Sequence, residues 1–291
     1  MLRRSIRRAA TLAALICLAA GPVFADIELK KKTQDAYDTY VRLNHQRLQT
    51  ELAAKKPFLW FESAPAAERK EVEAQLRNGE VAVKHIRLDE NGKKFEAPDA
   101  LIHHWIGVVF IPGATVKDVL SLVQDYNNHA NVYKPEVMRS RLVLHNGNEY
   151  KVFFRFLKKK VLTAVLNTDH DVHYEILSPH RALSRSWTTR VQEVENPGKP
   201  DEREKPVGND SGFMWRLDTW WRFEERDGGT YVQCETVSLS RDIPFGLGWM
   251  VGPFVKSIPK ESLAFSLGTT RSTLMTRLAQ ANSSARPSPS N

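Results

Sequence analysis

Cysteine is nearly absent from this 291-residue chain. Only Cys17 and Cys234 occur, too few for a zinc ribbon or a disulfide framework. No apolar run reaches the ~20 residues needed to cross a bilayer as a helix. The familiar catalytic signatures are missing too. There is no Gly-x-Ser-x-Gly elbow, no glycine-rich phosphate loop ending in Lys-Ser/Thr and no His-Glu-x-x-His. What remains is ordinary globular material, 42% hydrophobic and 26% charged, which excludes collagen-like and fully disordered chains. The net charge of +8 is local. Four of the 42 Lys and Arg are Arg3, Arg4, Arg7 and Arg8, and the others barely outnumber the 34 acidic residues.

Those arginines precede the apolar stretch Ala9–Ala20, then Gly21-Pro22 and Val23-Phe24-Ala25. A basic start, a short apolar centre and a small-x-small end describe a cleavable secretory signal. Residues 1–25 are therefore expected to be removed after Ala25, leaving a periplasmic or secreted protein that begins at Asp26. The alternative is a retained N-terminal anchor. After cleavage Cys234 is the single thiol, expected to be buried in a strand.

The remainder changes period twice. Tyr37, Tyr40, Val41, Leu48 and Leu52 recur at helical spacing over 33–55, and Val72 and Leu76 mark a second helix that opens at Ser63-Ala64-Pro65 and stops at Asn78-Gly79. This helical segment spans 26–79. Alternation then sets in at Val81, Val83 and His85, with a turn at Asn91-Gly92 before strand 101–111. Thr115 and Asp118 predict a capped helix carrying Val119, Leu122 and Val123. Strands follow over 137–145, 150–157, 161–167, 172–177, 183–194, 213–225 and 230–240. Residues 195–212, rich in Pro, Gly and charge, read as a solvated loop. A last helix is expected over 259–279 with Leu263, Leu267, Thr270, Leu274 and Leu278 on one stripe, and 281–291 reads as a disordered tail.

Tight turns between the strands imply an antiparallel sheet, and a sheet face and a long helix bury each other's apolar surface. The order of these elements resembles the START-like, helix-grip (SRPBCC) superfamily, which includes polyketide cyclase-like and lipid-transfer domains. Strand 101–111, Thr115-Val116-Lys117-Asp118, Asp125-Tyr126 before Tyr133-Lys134-Pro135, Gly228-Gly229-Thr230-Tyr231, Arg241-Asp242-Ile243-Pro244 and Ile258-Pro259-Lys260-Glu261-Ser262-Leu263 carry the resemblance across 80–280. It implies an α+β fold in which a curved antiparallel sheet grips a C-terminal helix, with a cavity between them.

Alternation groups Tyr150, Val152, Phe154 and Phe156 on one face, as it does Val172, Tyr174 and Ile176, and Phe213, Trp215, Leu217, Trp221 and Phe223. These rings either fill the core or line a cavity. Polar residues on strands include His173, Glu175, Arg185, Arg190, Arg216, Asp218 and Glu235. Arg185 shares a face with Trp187, and an inward Arg requires a carboxylate partner, for which Glu235 has the right chemistry, or an acidic ligand head group. The candidate ligand-binding set is Tyr150, Phe154, His173, Arg185, Trp187, Trp221, Glu235 and Trp249. No catalytic residue, cofactor or metal is expected. His170 and His173 are three apart on a strand and face opposite ways, and His103-His104 fails as a metal pair for the same reason. Lys158-Lys159-Lys160 beside Arg155 reads as a solvated turn, and export argues against a nucleic-acid partner. The charge-free stretch Phe245–Phe254, with three glycines and a proline, is expected not to be helical throughout and is either a cavity gate or membrane contact, or ordinary core packed under the last helix. The expected function is binding of a small apolar or lipid-like molecule. The alternatives are a cyclase, hydrolase or isomerase using cavity His, Tyr and acidic residues, or a non-binding envelope scaffold.

Overall fold

Alternation and turn chemistry build one large sheet. The computed structural model describes residues 27–90, 93–159, 163–243 and 248–284; the expected signal, the expected turn at Asn91-Gly92 and the tail from 285 lie outside the described residues. Helices α1 (Lys31–Ala53) and α2 (Ala66–Arg77) come first. Strands β1 (Ala82–His85) and β2 (Ala100–Pro112) lead to helix α3 (Val116–Val123). A meander follows: β3 (Val137–Asn146), β4 (Glu149–Lys159), β5 (Thr163–Ser178), β6 (Arg181–Glu195), β7 (Arg216–Arg226) and β8 (Gly229–Arg241). Helix α4 (Gly248–Ser284) closes the order. Among the described residues these strands form an antiparallel sheet ordered β1-β2-β8-β7-β6-β5-β4-β3.

The sheet buries both faces. On the inner face Val109, Val152, Val172 and Phe223 pack with Leu263, Leu267 and Leu274 of α4 and with Leu122 of α3. On the outer face Tyr37, Tyr40, Val41 and Leu48 of α1 cover Trp220, Val237 and Leu239, while Phe58, Leu59 and α2 cover Ala82 and Val108. The expected cap of α3 is present. Asp118 N donates to Thr115 Oγ1 (3.2 Å) and Thr115 N to Asp118 Oδ2 (2.9 Å). Cys234 is buried and free.

Three expectations are corrected. The two strands expected over 161–167 and 172–177 are one strand, β5, over the described residues Thr163–Ser178. The polar run Thr168-Asp169-His170-Asp171 keeps strict alternation: Thr168 and His170 are buried, while Asp169 meets Arg190 (2.6 Å) and Asp171 meets Lys151 (3.0 Å). The stretch 195–212 is built onto the sheet. Glu202 accepts two 2.8 Å hydrogen bonds from Arg155, Glu204 accepts from Asn167 and Arg190, and Asn209–Asp210 pairs with Ile27–Glu28. Charges that look solvated in the sequence are the fastening. Finally, α4 begins at Gly248, well before Pro259. Interior proline disfavours a helix by ~3 kcal/mol, a cost that burial of this helix against the sheet offsets. Of Phe245–Phe254, the backbone from Gly248 onward is helical; the side chains, Trp249 included, lie outside the described residues.

Gly107 of β2 sets how closely α4 approaches. A Cβ there would stand 2.8 Å from Leu267 Cδ1 and 3.3 Å from Leu263 Cδ2. Gly107→Val is therefore expected to lower stability by ~1–3 kcal/mol through overpacking, read by urea denaturation. An unchanged midpoint would refute this contact.

Candidate functional site

The inner face is not filled. A cavity of about 360 Å³ lies between β4–β8 and the first half of α4. Period two decides who lines it. Phe154 and Phe156 reach it from β4, Leu166, His170, Val172 and Tyr174 from β5, Ser184 and Ser186 from β6, Leu217, Thr219 and Trp221 from β7, and Thr236, Ser238 and Ser240 from β8. Val255, Ile258 and Leu263 close it from α4.

One end is ringed by Tyr126, His129 and Tyr133, from the turns after α3. The His129 ring stacks on Phe154 (centroids 5.7 Å apart, 19°), and Phe154 stacks on Phe156 (5.3 Å, 25°). Tyr126 and Tyr174 share a hydroxyl hydrogen bond of 2.7 Å, and Tyr133 meets Thr270 of α4 at 2.9 Å. Burial lowers two of the cavity-lining histidines, His129 and His170, to about 4, so they are neutral at pH 7. His170 Nε2 lies 2.9 Å from Thr168 Oγ1 and its Nδ1 3.4 Å from Ser186 Oγ. Glu136 and Lys158 form an ion pair on the lining. Arg155 and Lys158 thus have carboxylate partners, Glu202 and Glu136, where the sequence suggested a solvated basic turn.

Of the sequence-derived set, Phe154 and Trp221 line the cavity. Tyr150 adjoins it, buried against Tyr126 and Tyr174. Four others sit on the opposite face. Arg185 and Trp187 do share a face, but it is the face of Asp218 and Trp220, to which they pair in register; the Arg185 guanidinium stacks over both tryptophans. His173 is half exposed and bonds Glu149 at 2.5 Å. Trp215 also leaves the inner face, joining the core beneath α1.

Glu235 lies under α1, away from the cavity. It accepts from Asn44 Nδ2 (2.7 Å) and Arg47 (2.5 Å) and meets His104 Nε2 (2.8 Å), whose Nδ1 meets Tyr40 Oη (2.8 Å). Burial raises the pKa of this carboxyl, but the His104 and Arg47 contacts outweigh it and bring it down to about 2. Alternation separates the two faces of a strand without saying which faces the helix. The parity of His170 with Val172 and Tyr174 was the available signal for the residue missed. Among the described residues no group of three or more His, Cys, Asp or Glu is placed to hold a metal ion.

An antiparallel sheet wrapped on a C-terminal helix, with a cavity between them, defines the architecture. The fold is a helix grip. Solved structures with a similar fold include a STAR-related lipid transfer protein from Xanthomonas axonopodis (17% identity, 65% of this chain and 98% of that one, TM-score 0.41). The Zhui aromatase/cyclase from a Streptomyces species (12%, 62% and 98%, 0.39) and human STARD10 (9%, 78% and 91%, 0.41) are also similar. No family model and no curated protein matches the chain.

Proposed function

We propose that the chain is an exported binding protein that holds one apolar or amphipathic small molecule, lipid-like in character, in the helix-grip cavity. The cavity itself carries this reading: about 360 Å³ walled by Phe154, Phe156, Leu166, Val172 and Trp221 is within the range of small-ligand sites. Removing apolar ligand surface from water contributes ~25 cal/mol per Å², reduced by the cost of association. The basic, apolar and small-residue order of 1–25 supports export, and the charge-free Phe245–Phe254 supports transient contact with a membrane surface.

Native mass spectrometry of protein recovered from the exported fraction tests the reading. The expected species begins at Asp26 and carries a small-molecule adduct that Trp221→Ala weakens. It also co-sediments with vesicles through 245–254, an interaction lost on Trp249→Ala. A full-length cytoplasmic protein without adduct would sink it.

One observation favours the enzymatic alternative: neutral His170 lies beside Ser186, as a proton acceptor would. Neither His129 nor His170 has a carboxylate orienting it by a hydrogen bond among the described residues, and binding is the better-supported reading. A bound molecule that leaves chemically altered after incubation would favour the enzyme.

A further inference from the structure

The cavity has two unlike walls. The wall from β4 and β5 is mainly apolar, with Phe154, Phe156, Leu166 and Val172 beside the already bonded His170 and Tyr174. The floor from the middle strands carries hydroxyls. Ser186, Thr219 and Thr236 stand side by side in register on β6, β7 and β8, and Ser238 pairs with Leu217 one step along. All four line the cavity. Residues on central strands beneath a helix are ordinarily covered, yet Thr219, Thr236 and Ser238 are only half-buried; the space above them is the cavity.

Their hydrogen-bonding capacity is largely unspent. Thr236 Oγ1 reaches Trp105 O only at 3.5 Å, and Ser186 Oγ is 3.4 Å from His170. Among the described residues, no protein group bonds the hydroxyls of Thr219 and Ser238. Water satisfies such groups in an open cavity. A plain hydrocarbon occupant would strip that water and return nothing, which costs binding. An occupant with its own hydroxyl or carbonyl oxygens restores the bonds.

Charge is confined elsewhere. Among the described lining residues the charged side chains are Glu136, Lys158, Arg241 and Asp242. Strand register puts them at the end of the sheet where β4 and β8 finish, and Glu136 and Lys158 neutralise each other. On the floor strands the lining cation is Arg241, three residues past Ser238 and five past Thr236, so an anionic group placed over Ser186, Thr219 and Thr236 would be desolvated without an adjacent partner.

We infer that the cavity selects an uncharged, oxygen-bearing amphiphile, its oxygens on the Ser186–Thr219–Thr236–Ser238 band and its apolar face on the Phe154–Val172 wall, over plain acyl chains and organic anions. This rests on the binding function proposed above and names the ligand class.

The test compares flavone, 5,7-dihydroxyflavone and palmitate as probes, titrated against the mature protein by quenching of tryptophan fluorescence, with calorimetry as the check. The dihydroxy probe is expected to bind at least about tenfold more tightly than the other two, the equivalent of one net hydrogen bond. Thr219→Val/Ser238→Ala, nearly isosteric, should abolish that preference while leaving flavone affinity equal or higher. Ser238→Ala alone serves if the double variant does not fold. Equal affinity for the two flavones, or tightest binding of palmitate, overturns the inference and leaves the cavity reading standing. No binding of any probe, with no co-purified adduct, overturns both.

Discussion

Glu235→Ala is expected to cost the fold about 3–5 kcal/mol, the penalty typical of removing one partner of a buried ion pair. The carboxylate is 1% exposed and is the common acceptor for Asn44, Arg47 and His104. Its loss leaves a guanidinium and a buried imidazole facing an apolar gap beneath α1. Urea denaturation reads the change, and hydrogen exchange should show α1 opening first. Probe affinity in the folded fraction should stay unchanged, because Glu235 lies on the face opposite the cavity. A loss of binding with intact stability would return Glu235 to the ligand site. The same carboxyl sets an acid limit. Held at about 2 against an unfolded value of 4.5, it contributes stability that is complete above pH 4.5 and lost as pH falls toward 2.

A second large effect comes at milder pH from His129 and His170. Burial holds each near 4, against 6.5 when exposed. Between those values the unfolded chain binds the proton and the folded chain does not. Stability is therefore complete above pH 6.5 and falls by about 3 kcal/mol per histidine as pH drops to 4. Asp210 runs the other way. Burial raises it to about 6 from 3.8, so its penalty is relieved as pH falls across that window, offsetting about one histidine. Denaturation midpoints of the parent protein and His170→Gln at pH 7, 5.5 and 4 isolate the term. The variant should lose less stability on acidification, by up to about 3 kcal/mol. Parallel curves would show that His170 gains its proton without cost. A neutral ligand in the cavity should protect against acid at both positions.

Period and punctuation in the sequence determined most of the secondary structure. Tyr37, Tyr40, Val41 and Leu48 placed α1, Thr115 and Asp118 capped α3, and tight turns required an antiparallel sheet. Alternation also established which residues travel together: Phe154 with Phe156, Arg185 with Trp187, and His170 apart from His173. Local spacing is written in the chain because side-chain direction follows from backbone geometry alone.

What the spacing could not contain is which face meets which helix. Both faces of this sheet are buried, one by α4 and one by α1, so a buried aromatic or charge is equally at home on either. Trp221 therefore belongs to the cavity while Trp187, Arg185 and Glu235, equally ring-rich and polar, belong to the opposite face of the sheet. The partners that settle the matter are remote in sequence: Asn44 and Arg47 for Glu235, Glu202 for Arg155, Glu136 for Lys158. Those pairings depend on strand order and on where α1 and the 195–212 segment come to rest, and the tertiary structure alone decides them. The hydroxyl floor is the clearest instance. Ser186, Thr219, Thr236 and Ser238 are unremarkable one at a time and become a surface only when β6, β7 and β8 are laid side by side.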